Sequence, residues 1–184
     1  EPCEATSVVK ATGITMLVLD GDDVYFTQQF NGFHRCSKSG CATSTKLNDG
    51  SPATFAIGDG KAFWSEGASL ISCDLAKCQE TFRLVQSEER TIKFVSAGDG
   101  RLVWRIAGQV PETAVLRSCP LATCAQANTV SSLETRDVRT GFSVKNGRAV
   151  YIDNVGTVEA VKVDALPDAK TLGDLGLRDA VIQD

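Results

Sequence analysis

The residues whose spacing first suggests chemistry are the cysteines. Six of the seven form three pairs, each with four residues between its members: Cys36 and Cys41, Cys73 and Cys78, Cys119 and Cys124. Identical spacing at equivalent places in the chain reads as a disulfide staple between the end of one strand and the start of the next. Such staples belong to oxidising compartments, so a secreted, periplasmic or cell-surface location is expected. Zinc is the rival reading, although each pair would need a second half-site nearby and the usual spacing differs. Free or redox-active thiols are the third. Cys3 is followed by residues like those after the second cysteine of each pair. Its partner is expected to lie outside the sequence, or Cys3 stays unpaired.

The other reactive side chains give less. His34 is the only histidine, which weakens any histidine-based triad or metal site, and a surface or hydrogen-bonded role is the expectation. Asp20, Asp22 and Asp23 offer oxygen ligands for calcium without the 12-residue loop and closing glutamate, so turn chemistry accounts for them better. Asp59 and Asp99 occupy comparable GDG turns. Glu66, Glu88, Glu89 and Asp59 include the residue type that glycoside cleavage needs as a pair at fixed separation. Solvated loop carboxylates are the plainer reading. Ser65 and Ser96 lack the nucleophile-elbow pattern, and GDG is followed by no phosphate-loop lysine. No catalytic residue, metal or cofactor is expected.

What must position these residues is a recurring unit. GDGKAFWSEGASLISCDLAKC from Gly58 has the same order of features as DGDDVYFTQQFNGFHRCSKSGC from Asp20. The order returns from Gly98 through Cys124, and from Lys145 to Asp164 without cysteines. Each copy reads as turn, apolar run with a central aromatic, turn, apolar run, short final strand. Asn31-Gly32 is the strongest hairpin signal. The central aromatics Phe26, Trp64, Trp104 and Tyr151 are expected to pack between neighbouring sheets. The organisation predicted is residues 1–10 as the last strand of a preceding unit, units at 14–50, 51–90, 91–136 and 137–173, and 174–184 as a tail or the start of a further element.

Composition bounds the rest. A chain of 184 residues with 42% hydrophobic content can bury a core. The net charge of −4 and the absence of a basic stripe argue against nucleic acid. No apolar run approaches the roughly 20 residues that span a bilayer. Glu1 reads as a processed or trimmed start.

The motifs VYFT at Val24, AFWS at Ala62, LVWR at Leu102 and AVYI at Ala149, three of them followed by C-x4-C, resemble a family. It is the cysteine-stapled β-propeller repeat family of secreted proteins and lipoproteins of myxobacterial type. More distantly they resemble YWTD-type propellers. The resemblance implies an all-β propeller of four-stranded antiparallel blades, about four present, as part of a larger ring. A larger ring implies another chain or segment that completes it; the rival is a small closed ring in which Val8 and Val9 pair beside Val158 to Val163. The function expected is a non-enzymatic extracellular binding or structural module for a protein partner, with a carbohydrate ligand also open. The alternative is a carbohydrate-active or other hydrolytic protein using paired carboxylates.

Overall fold

The computed structural model describes residues 11–107, 113–124, 131–136, 142–152 and 158–163. These residues are all-β and form four separate antiparallel sheets. The first is β1 (Ile14–Asp20), β2 (Asp23–Gln28), β3 (Gly32–Ser37) and β4 (Gly40–Asn48), side by side in chain order. The second is β5 (Phe55–Gly58), β6 (Lys61–Glu66), β7 (Ser69–Asp74) and β8 (Arg83–Ser87). The third is β9 (Ile92–Gly98), β10 (Arg101–Ala107), β11 (Thr113–Pro120) and β12 (Ser131–Arg136). The fourth has three strands, β13 (Ser143–Lys145), β14 (Arg148–Ile152) and β15 (Val158–Lys162). Consecutive strands pair because most of their connections are too short to allow anything but a hairpin.

The tightest of these turns shows why GDG recurs. Asp59 and Gly60 have φ of 50° and 69°, and Asp99 and Gly100 have 51° and 71°. Two successive left-handed residues are the requirement of a two-residue hairpin whose twist matches its strands. The first glycine of each GDG has a different job. A Cβ on Gly98 would collide with the Val144 carbonyl, and one on Gly58 would press on Leu121 and Ala97. Those two glycines let the next sheet approach.

The strands β2, β6 and β10 are buried on both faces, which is why they read as unbroken apolar runs. One face of each sheet packs on the next. Tyr25, Phe33 and Leu47 meet Phe55, Trp64 and Ile71. Ala56, Phe63 and Leu70 meet Val95, Leu102 and Trp104. Val103, Ala114 and Leu116 meet Val144, Ala149 and Tyr151. Burying each of the larger side chains is worth about 1.5–3 kcal/mol, so these three seams hold the sheets in series.

Among the described residues the series does not close, and this corrects the expected β-propeller and its larger ring. Main contacts run from β1 to β5, from β5 and β6 to β9, and from β9 to β13. No contact of that extent joins the fourth sheet to the first among the described residues. On β1, Leu17 and Leu19 remain 46% and 58% exposed, where closure would bury them. Hairpin motifs fix pairing within a sheet, and closure depends on the angle between sheets, which no motif encodes. The partner chain or segment expected to complete a ring falls with it, because the described residues outline no ring to complete.

A second correction is local. The β2–β3 turn is not made by Asn31-Gly32. It spans Gln28–Asn31, closed by the Asn31 N–H donating to the Gln28 carbonyl at 3.0 Å, and the left-handed residue is Phe30. Gly32 is needed elsewhere, since a Cβ there would collide with the Asn48 carbonyl oxygen at the end of β4. Residues 1–10, with Cys3, Val8 and Val9, and the tail at 174–184 lie outside the described residues.

Candidate functional site

The cysteine pairs are closed on themselves. Cys36–Cys41, Cys73–Cys78 and Cys119–Cys124 are disulfides with Cα separations of 5.2, 4.8 and 5.1 Å. Each joins the end of a sheet's third strand to the loop or strand that follows. Beside each, the residue two past the first cysteine donates its N–H to a turn carbonyl. These bonds are Lys38 to Asp22, Leu75 to Gly60 and Leu121 to Gly100, at 2.9, 2.9 and 2.8 Å. The cysteine-free fourth sheet keeps the same bond, from Val163 to Gly147 at 3.0 Å. The staple therefore reinforces a turn that the backbone already makes. Replacing both Cys73 and Cys78 by serine should cost about 2 kcal/mol, the entropy of a short loop, and leave a cooperative urea transition at a lower midpoint.

His34 is buried in β3. Its Nε2 lies 3.0 Å from the Asn31 carbonyl and its Nδ1 3.1 Å from Ser44 Oγ. A carbonyl can only accept, so the proton sits on Nε2 and Nδ1 accepts from the serine hydroxyl. The ring stacks on Phe26, with centroids 5.2 Å apart. Both ring nitrogens are thus taken by neutral partners.

Four of the carboxylates singled out from sequence, Glu66, Glu88, Asp23 and Asp99, are engaged in holding the structure. Glu66 Oε1 accepts the Trp64 indole N–H at 3.1 Å. Glu88, whose side chain is only 1% exposed, accepts the Trp104 indole N–H at 2.7 Å through Oε1. Its Oε2 stands 3.3 Å from Arg117 Nε as an ion pair. Asp23 binds Arg35 at 2.7 Å, and that bond holds the Arg35 guanidinium above its ordinary range. Burial raises the Tyr25 phenol, and Arg35, 6.0 Å from the ring, opposes that shift. Asp99 Oδ2 accepts the Gly147 N–H at 2.8 Å and so ties the third sheet to the fourth. Among the described residues no group of three or more His, Cys, Asp or Glu side chains could hold a metal ion.

Three of the four central aromatics sit at a seam with the preceding sheet: Trp64, Trp104 and Tyr151, at 1%, 0% and 3% exposure. Phe26 is also buried but packs with Val24, Cys36, Ala11 and Ile14, because the first sheet has no predecessor among the described residues. Sequence reasoning missed Glu88 as an anchor. The cue was an acidic pair at Glu88-Glu89 just before an apolar strand, but only the fold brings Trp104 and Arg117 to it.

Two features of the described surface stand open, a groove and a hairpin tip. Two adjoining hollows, of about 250 and 410 Å³, share Thr45, Leu47, Leu75 and Ala76. They run along the outer edge strand β4 beside the disulfide loop of the second sheet. The tip is Phe30, at 94% exposure. No helix of the described residues is long and apolar enough to cross a membrane.

No family model and no curated protein matches the sequence, so the resemblance to stapled propeller repeats is corrected: local strand-and-turn motifs carried it, and they do not define a family. Solved structures do share the arrangement of small sheets. A chain of the nidogen/laminin complex superimposes with a TM-score of 0.60 at 13% identity, over 82% of this chain and 59% of that one. The AfRom2 CNH domain gives 0.57 at 12%, over 88% and 55%. Kluyveromyces lactis Hsv2p gives 0.58 at 12%, over 84% and 50%. The chain thus spans between half and three-fifths of these three structures, and at such identities the likeness is one of fold alone.

Proposed function

We propose that this chain is a non-enzymatic binding module for a protein ligand, working in an oxidising compartment. The observation that carries the reading is the commitment of its reactive side chains. Six cysteines are paired with each other, and His34, Glu66 and Glu88 each hold a neighbouring group in place. A general acid or base must be free to exchange protons with a substrate, and a buried carboxylate shared by an indole and a guanidinium is not. The surface instead keeps exposed loops and an edge strand, the parts of a scaffold that usually make contacts. The three staples support the compartment, since a reducing environment would open them.

Hydrolysis of glycoside, ester and peptide substrates by the oxidised chain should not exceed that of the Glu66→Gln variant. Turnover lost in that variant while its melting curve is kept would refute the non-enzymatic reading. Non-reducing peptide mapping of the chain from its natural source should return the three short-range disulfides. Reduced cysteines there would overturn the compartment.

A further inference from the structure

Phe30 is a residue that neither packing nor turn chemistry explains. It stands third in the Gln28–Asn31 turn with φ of 62° and 94% of its surface exposed. The other described non-glycine residues with positive φ are Asp59, Asp99 and Asn146, short polar types suited to that region. A bulky side chain there strains the backbone. The close approach of the Asn48 carbonyl oxygen explains the glycine at 32. It does not explain the phenylalanine at 30, which also leaves a large apolar ring in water. A strained backbone outlier of this kind points to a function.

The tip is also held rigid from two sides. The Gln29 N–H donates to the Gly13 carbonyl at 2.8 Å, and Gln28 Nε2 donates to the Thr12 carbonyl at 2.9 Å. On the other flank Ser51 Oγ donates to the Gln28 carbonyl at 2.8 Å and accepts the Gly32 N–H at 3.0 Å. Asn31 Nδ2 donates to Gln28 Oε1 at 2.8 Å, and His34 Nε2 clamps the Asn31 carbonyl. A ring on so fixed a base loses little freedom on binding.

We propose that Phe30 is an anchor that inserts into an apolar pocket of a protein partner. The proposal rests on the reading of the chain as a binding module and gives that module its contact point. The shape argues for a pocket: the ring projects from a convex hairpin with 94% of its surface exposed, and a concave surface covers such a ring more fully than a flat one. A sugar-stacking ring lies flat on its own protein and offers one face. The collar of Gln28, Gln29, Asn31 and Ser51 is uncharged, and the nearby Lys46 and Asp49 neutralise each other. The rim of the partner's pocket is therefore polar and neutral, and the affinity depends little on salt. Aromatic side chains in such pockets carry a large share of interface energy.

The test places the photoreactive p-benzoylphenylalanine at position 30 of the oxidised full chain, with Thr45 and Ile152 as control positions. Each chain is irradiated in extract from the oxidising compartment of the source cells. The expected result is a discrete polypeptide adduct from position 30, mapped to apolar residues of the partner and unchanged between low and high salt. Unlabelled wild-type chain should suppress it, and the Phe30→Gly variant should need at least tenfold more protein. That variant should melt at or above the wild-type temperature, because glycine relieves the strain. A lower melting temperature would show a packing role and overturn the proposal. Equal suppression by both chains, an adduct on a glycan, or an adduct only from a control position would each overturn it too. The last of these would leave the binding-module reading intact. The absence of a competable adduct from every position would sink that reading as well.

Discussion

Replacing Trp104 by alanine is expected to lower the stability of this chain by about 3–5 kcal/mol. The side chain is fully buried between the second and third sheets, among Phe63, Leu70, Val95 and Leu102. Truncation leaves a cavity in a seam formed by two sheets that do not pair with each other. It also removes the indole N–H that Glu88 accepts at 2.7 Å. Trp104→Phe separates these effects in large part, because it keeps an aromatic ring in the seam and loses the donor with a smaller share of the packing. Its expected cost is about 1–3 kcal/mol. Urea unfolding monitored by far-ultraviolet circular dichroism measures both, and a wild-type midpoint for Trp104→Ala would show that the seam is not where this protein keeps its stability.

Glu88→Ala should be comparably damaging, at about 3–5 kcal/mol, although it removes few apolar contacts. The loss arises from what stays behind: an indole N–H with no acceptor and the Arg117 guanidinium, 30% exposed, without its counter-charge. Glu88→Gln keeps an acceptor for the indole and should lose about 1–2 kcal/mol. The cycle Trp104→Phe with Glu88→Gln should be non-additive, with a coupling of about 0.5–3 kcal/mol, because the residues touch. Strict additivity would mean that the bond contributes nothing net. Both predictions place the main energetic weight of the molecule between sheets.

Strand pairing was legible in the chain because its causes are local. Gly58-Asp59-Gly60 and Gly98-Asp99-Gly100 carry the left-handed residues that a tight hairpin demands, and the runs at Ala62 and Leu102 have the continuous apolar character of doubly buried strands. The even cysteine spacing matched three hairpin ends for the same reason: five residues along a turn bring two Cα atoms within disulfide reach. What only the tertiary structure decided depends on residues far apart in sequence. Glu88 changed from a possible acid to an anchor because Arg117 sits beside it, 29 positions on. Gly32 is held to glycine by the Asn48 carbonyl oxygen of β4, while the turn itself spans Gln28–Asn31 with Phe30 left-handed. The expected ring failed by the same rule. Whether a row of sheets closes depends on the small rotation at each seam, set by side-chain volumes across Trp64, Trp104 and Tyr151 together with contacts such as Gly98 on Val144. Motifs repeated within one sheet carry no term for that rotation.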